Sequence, residues 1–183
     1  SCDNDTAKIY VHNGISSTIK SSFASPGVNI TGLTFDGTDL ISCDRGTATI
    51  YVHNGISSTI KTSFASPGAK PFGLTFDGTD LISCDNDTAK IYVHNGISST
   101  IKSSFARPGV NITGLTFDGH DLISCDNFPA KIYVHNGISS TIKTSFAGPG
   151  ADPFGLTFDG HDLISCDSNT AKIYVHASIL ALL

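Results

Sequence analysis

A 41-residue repeat is the feature that most constrains the fold of this chain. Five cysteines recur at that spacing, and the residues between them match almost letter for letter; they are Cys2, Cys43, Cys84, Cys125 and Cys166. The 183 residues hold four complete units, which start at residues 2, 43, 84 and 125, and part of a fifth, which starts at residue 166. We therefore expect one repeat array over residues 1–176, in which each unit packs on its neighbours, followed by a non-repeat apolar tail at 177–183.

A longer period of 82 residues lies over the first one. Residues 28–31 read Val-Asn-Ile-Thr and recur at 110–113, whereas residues 69–72 and 151–154 read Ala-Lys-Pro-Phe and Ala-Asp-Pro-Phe. This alternation indicates that a pair of units was duplicated, which favours an even number of units.

Each unit predicts four short β-strands. Residues 7–12 alternate apolar and polar side chains and meet Asn13-Gly14, which is typical of a two-residue hairpin turn. Residues 17–23 continue the alternation as a return strand, and residues 32–35 and 40–43 flank a second tight turn at Asp36-Gly37. Because no segment keeps a helical period over three turns, the chain is predicted to be all-β and antiparallel.

Four antiparallel strands about every 40 residues are typical of one blade of a β-propeller. Residues 73–96, which read GLTFDGTDLISCDNDTAKIYVHNG, resemble NHL-repeat and YVTN-type blades in the inner Gly-Leu-Thr-Phe-Asp-Gly hairpin and the Lys-Ile-Tyr-Val third strand. The resemblance implies a propeller of near-identical four-stranded blades. A WD-repeat propeller has a similar period, but this chain contains no tryptophan, and a β-solenoid would show a shorter period.

Two ways of closing the ring stay open. Residues 1–23 can supply the third and fourth strands, and residues 154–166 the first and second strands, of one composite blade, which gives four blades per chain. A third-type strand at residues 171–176 is then left over. Alternatively, two chains join head to tail as a homodimer and form a larger ring.

Composition narrows the classes of partner and compartment. The formal net charge is -5, from 11 basic and 16 acidic residues, so nucleic acid and anionic membrane surfaces are not expected partners. No apolar run approaches the roughly 18 residues that a membrane-spanning helix needs. The cysteines share one strand register and are expected to be free thiols, which favours a reducing compartment.

The copies differ mainly in two loops, one after each cysteine and one between successive blades. In an up-and-down blade both connections lie on the same rim, and loops on a rigid scaffold are the usual place for recognition. The candidate binding residues on this rim are Arg45, Lys70, Arg107, Asn127, Phe128 and Asp152.

The predicted function is a non-catalytic binding or assembly scaffold, without metal or cofactor, for an unknown protein or small ligand. Catalysis needs side chains with different roles, whereas a near-perfect repeat supplies the same residues everywhere. One alternative is a purely structural or engineered repeat protein. Another is a metal-dependent hydrolase similar to gluconolactonase-type propellers, in which rim carboxylates would hold an ion: Asp3, Asp44, Asp85, Asp126, Asp167 and Asp152, with Asn29 and Asn111 nearby.

Overall fold

The computed structural model describes residues 1–176, so the predicted tail at 177–183 lies outside the described residues. The chain forms a β-propeller of five antiparallel sheets, which are numbered here as blades one to five. Within residues 1–176, no helix is long and apolar enough to cross a membrane.

The three central blades have four strands each, and the first and last have three. Blade one contains β1 (Cys2–Asp3), β2 (Lys8–His12) and β3 (Ile19–Ala24). Blade two contains β4 (Ile30–Phe35), β5 (Leu40–Asp44), β6 (Thr49–His53) and β7 (Ile60–Ala65). Blade three contains β8 (Pro71–Phe76), β9 (Leu81–Asp85), β10 (Lys90–His94) and β11 (Ile101–Ala106). Blade four contains β12 (Ile112–Phe117), β13 (Leu122–Asp126), β14 (Lys131–His135) and β15 (Ile142–Ala147). Blade five contains β16 (Pro153–Phe158), β17 (Leu163–Asp167) and β18 (Lys172–His176).

The all-β propeller prediction is confirmed, but the four-blade count with a composite closing blade is wrong. Cys2 pairs with Ile9 just as Cys43 pairs with Ile50, so β1 already occupies the second-strand position of its own sheet. Both ends of the chain therefore carry a second and a third strand. Because one blade cannot hold two copies of either, the two ends form separate blades.

The hairpins at the end of the third strand are longer than the predicted two-residue turns. In blade two, Asn54 N donates to Thr59 O at 2.8 Å, and β7 begins only at Ile60. The buried Asp39 fastens this loop, because its carboxylate accepts hydrogen bonds from Gly55 N at 2.8 Å and Lys61 Nζ at 2.7 Å. The loop chemistry thus depends on a carboxylate from the other hairpin of the same blade.

Apolar clusters between neighbouring blades form the core. Ile41, Cys43, Ile50 and Val52 of blade two pack with Leu74 and Leu81 of blade three, and equivalent residues join blades three to four and four to five. Burying one such Leu or Ile side chain contributes about 1.5–3 kcal/mol. Each blade therefore depends on the next one to cover its apolar face.

A glycine at the third position of each inner strand allows neighbouring blades to meet at the axis. A Cβ atom on Gly73 would lie 2.7 Å from Leu115 N and 2.9 Å from the carbonyl carbon of Gly114. Both are backbone atoms, which cannot move aside without shifting a whole strand. The equivalent Gly155 has more room, because a Cβ there would meet only Cys166 Sγ at 3.1 Å.

The prediction of free thiols is confirmed, since all five cysteines are unpaired. Cys43 Sγ donates to Phe72 O of the next blade at 3.0 Å. Burial raises the pKa of the Cys43 and Cys125 thiols to about 12, so both are neutral at ordinary pH. They act as small interior groups, and the reducing compartment stays a prediction.

In the central blades, the histidine at the end of each third strand is also part of the interior. His94 Nε2 lies 2.9 Å from Ser83 Oγ, and its ring packs 6.0 Å from Phe64 of the preceding blade. Loss of hydration lowers the pKa of His94, and the pKa values of His53 and His135 are lowered for the same reason.

We predict that Gly73→Ala lowers the free energy of unfolding by about 1–3 kcal/mol, the usual cost of overpacking. The matched control is Gly155→Ala, which has the same strand position but an open neighbour and should change stability by less than about 1 kcal/mol. Urea denaturation followed by circular dichroism measures both. Equal losses for the two variants would contradict the close approach at Gly73.

We also predict that the free energy of unfolding falls as the pH is lowered from 7.5 to 5.5. In the unfolded chain the histidines take up protons near their ordinary pKa of 6.5, whereas the buried histidines of the folded chain have lower pKa values and resist protonation. Protons therefore favour the unfolded state once the pH is below 6.5. The stability that is present above 6.5 is lost as the pH falls from there through the lowered pKa values of the folded chain. Denaturation at several pH values tests this, and His94→Gln should make the slope shallower. A stability that stays constant over this range would refute the prediction.

Candidate functional site

The two variable loops of each blade are joined on one rim by a buried aspartate. The Asp85 carboxylate accepts hydrogen bonds from Lys70 N at 2.6 Å and Thr88 N at 2.8 Å, which belong to the inter-blade link and to the loop after the cysteine. Asn86 N also donates to Lys70 O at 3.0 Å. The predicted clustering of both loops on the same side of the ring is therefore a feature of the structure.

The same arrangement recurs around the ring at Asp44, Asp126 and Asp167. A Cβ atom on Gly68 would lie 2.3 Å from an oxygen of the Asp85 carboxylate, so the Pro-Gly step makes room for this group. These carboxylates hold backbone N–H groups and are thus engaged in loop structure. Among residues 1–176, no three histidine, cysteine or acidic side chains come together as a set that could hold a metal ion.

A chain of polar side chains crosses the rim from blade three to blade four. The Arg107 guanidinium donates to Asn86 Oδ1, and Asn86 Nδ2 donates to Asn111 Oδ1 at 2.6 Å and to Ile112 O at 3.0 Å. Asn111 Nδ2 in turn donates to Asn127 Oδ1 at 2.7 Å. Four side chains are held in place by one another, which gives this part of the rim a fixed shape.

Beside this chain lies a pocket with a volume of about 580 Å³. Its lining consists of Arg45, Ala69, Lys70, Phe72, Asn86 and Asn111. The Arg45 guanidinium carbon lies 5.3 Å from the centre of the Phe72 ring, a distance typical of a cation–π contact. Blades two, three and four thus contribute to one polar pocket with two cationic side chains.

Phe72 also closes the axis of the ring at this rim. Its ring lies 6.1 Å from that of Phe154, two blades away, in an edge-to-face arrangement. The inner strands of blades two and four place Thr31 and Thr113 at the equivalent position, and each hydroxyl donates to a backbone carbonyl of the next blade, at 2.8 and 2.7 Å. The 82-residue period therefore has a packing reason, because large and small side chains alternate around a narrow axis.

The opposite end of the axis contains a second cavity of about 420 Å³. The inner strands of blades two to five line it, together with Ser1 and Leu40. The lining of the inner strands repeats Leu-Thr-Phe in each blade, at residues 33–35, 74–76, 115–117 and 156–158. This cavity lacks the variation between copies that marks the rim.

Four of the six candidate rim residues belong to the pocket or to its polar chain. Arg45 and Lys70 line the pocket, and Arg107 and Asn127 hydrogen-bond to residues that line it. The other two lie elsewhere on the rim. Phe128 is 71% exposed, and Asp152 of blade five accepts a hydrogen bond from Ser168.

Four pocket residues, Ala69, Phe72, Asn86 and Asn111, were not among those six candidates. A usable signal existed for Phe72, because the alternation of threonine and phenylalanine marks its position as unequal between copies. Asn86 and Asn111 are themselves in the variable loops. Their meeting across two blades follows from the ring and is not apparent from sequence separation.

Comparisons with known proteins show the fold. Neither the family models nor the curated protein sequences give a match, so membership of the NHL or YVTN group is not established. The chain is similar to glutaminyl cyclase of Myxococcus xanthus, with a TM-score of 0.76 and 10% identity over 92% of this chain and 80% of that one. It is also similar to the computationally designed Ika4 protein, with a TM-score of 0.56 and 17% identity over 81% of this chain and 91% of that one. The WD40 propeller domain of Doa1 has a TM-score of 0.61 and 13% identity, over 86% of this chain and 54% of that one.

We predict that Phe72→Thr, which replaces the large side chain at the axis by the small one of the neighbouring copies, lowers the free energy of unfolding by about 2–4 kcal/mol. The matched control is Phe128→Thr on the exposed rim, which should cost less than about 0.5 kcal/mol. Chemical denaturation distinguishes the two. A Phe72→Thr variant as stable as the parent would show that the ring does not fill the axis.

Proposed function

We propose that this propeller is a non-catalytic binding module and that its rim pocket takes a ligand with an anionic group. The proposal rests on one observation, that the cationic side chains of Arg45 and Lys70 line the same pocket. Neither forms an ion pair with any residue of the described part of the chain. Two unpaired cations facing one cavity attract a carboxylate or phosphate group.

The polar wall of the pocket supports this assignment. Both hydrogen atoms of the Asn86 amide are already donated, to Asn111 and Ile112, and its oxygen accepts from Arg107. The amides therefore form a pre-organised wall beside the two cationic groups. The Phe72 ring holds the Arg45 guanidinium over the cavity, which lowers the entropic cost of binding.

The lining also favours binding over catalysis. The residues that border the pocket include no acid, histidine or cysteine that could exchange a proton near neutral pH. The nearby Asp85 is engaged by backbone N–H groups. The likeness to a glutaminyl cyclase, at 10% identity, carries the fold alone and does not assign that activity to this chain.

We predict that citrate and pyrophosphate cause saturable shifts of the amide resonances of Lys70 and Asn86 in heteronuclear NMR spectra, and that uncharged glucose does not. Arg45→Gln should weaken binding of both anions at least tenfold, because one of the two cationic groups is lost.

The matched control is Lys8→Gln, which removes an exposed lysine outside the pocket and should leave the affinity unchanged. Shifts that grow without saturation, or equal affinity for the parent and Arg45→Gln, would contradict an anion site in the pocket.

A further inference from the structure

Two exposed apolar side chains border the rim pocket in blade four. Phe128 is 71% exposed and Val110 is 60% exposed. Val110 precedes Asn111 and Phe128 follows Asn127 in the chain, and Asn111 Nδ2 donates to Asn127 Oδ1 at 2.7 Å. Because Asn111 lines the pocket, these two residues, called here the apolar pair, lie next to its wall.

One buried carboxylate holds both members of the apolar pair. Val110 N donates to Asp126 Oδ2, and Phe128 N donates to Asp126 Oδ1 at 2.7 Å. The backbone of each residue is therefore fixed, while its side chain faces solvent. A surface held in this way loses little conformational freedom when it binds a partner.

The loop that carries Phe128 differs from its copies in the other blades. The equivalent residues are small or polar, namely Gly46, Asp87 and Asn169. The next residue is Pro129, whereas blades two, three and five have a threonine whose N–H donates to the equivalent buried aspartate. Proline has no N–H, and in blade four Phe128 N donates to the aspartate. This loop therefore holds a large aromatic side chain in solvent, beside an exposed valine, which is typical of a contact surface.

The amides between the cations and the apolar pair keep part of their hydrogen-bonding capacity. A side-chain carbonyl oxygen has two lone pairs, and within residues 1–176 the Oδ1 atoms of Asn86, Asn111 and Asn127 accept one hydrogen bond each. In the same part of the chain, Asn127 Nδ2 makes no hydrogen bond. The wall can thus accept from N–H groups and donate to a carbonyl, which are the two groups of a peptide backbone.

Three kinds of surface therefore follow one another across the rim. The cations Arg45 and Lys70 come first, in blades two and three, then the amides, and then the apolar pair in blade four. We propose that the ligand of the rim pocket is the C-terminal segment of a peptide with apolar side chains. Its carboxylate lies between the two cations, its backbone follows the amides, and an apolar side chain packs on Val110 and Phe128.

This assignment rests on the proposed function, because the pocket must first take an anionic group. A peptide C-terminus matches all three surfaces. A small polyanion such as citrate has no apolar group for the apolar pair, and a fatty acid has no N–H group for the amides.

The test is a titration of the full chain with two peptides, acetyl-Ser-Leu-Leu-Leu and acetyl-Ser-Gly-Gly-Gly, followed by heteronuclear NMR. Both peptides end in the same carboxylate, but only the first has side chains that can cover the apolar pair. We expect the leucine peptide to bind at least tenfold more tightly than the glycine peptide. Its C-terminal amide, which lacks the negative charge, should bind at least tenfold more weakly than the acid.

Phe128→Thr should reduce the ratio of the two affinities to less than threefold. Since this side chain is already exposed, the variant should fold normally, which circular dichroism checks. The matched control is Ile56→Thr, which changes another exposed apolar side chain, 52% exposed, in the hairpin at the opposite end of β6. It should leave the ratio at tenfold or more.

A parallel titration with citrate separates failure of this assignment from failure of the anion site. Saturable citrate binding with equal affinity for the two peptides would overturn the peptide assignment alone. No saturable binding of citrate or of either peptide would overturn both.

Three further results would contradict the peptide assignment. The first is a Phe128→Thr variant that keeps the full ratio of affinities. The second is an amidated leucine peptide that binds as tightly as the acid. The third is octanoate binding as tightly as the leucine peptide, which would assign the site to apolar anions without a peptide backbone.

Discussion

The structure depends on one constraint: a blade of this repeat cannot cover its own apolar face. Ile50 and Val52 of blade two are buried by leucines of blade three, and the same contact recurs in the next two interfaces. Where those leucines are absent, Ile173 and Val175 are exposed. The burial of each blade by the next therefore explains the propeller.

The narrow axis adds a second constraint, which links packing to the candidate site. Glycine lets the inner strands approach, and only alternate blades place a phenylalanine at the rim end of the axis. Phe72 supports Arg45 on one side and meets Phe154 on the other. The same side chain that fills the axis thus also shapes the pocket, so the shape of this pocket depends on the alternation between copies.

The repeat and the strand pattern were sufficient to predict an all-β propeller, antiparallel blades, free thiols and a shared rim for the variable loops. They did not predict the blade count, because β1 already occupies the second-strand position of blade one. The strands at the two ends of the described chain therefore cannot share one blade. Hairpin lengths were also missed, since Asp39 acts from another part of the blade. The positive φ of 50° at Ala48 was also not predicted, because glycine or asparagine usually occupies such a position. The pocket itself needed the ring, because it joins residues from three blades.

The central claim, that the blades surround an axis, is tested most directly by a nuclear Overhauser effect between the aromatic protons of Phe72 and Phe154. A ring places these two rings, 82 residues apart in sequence, in edge-to-face contact at 6.1 Å, so the account predicts a cross-peak in a spectrum with selectively labelled phenylalanine. In a straight stack of the same sheets, blade four would separate them. Complete absence of the cross-peak in a folded sample would contradict the propeller.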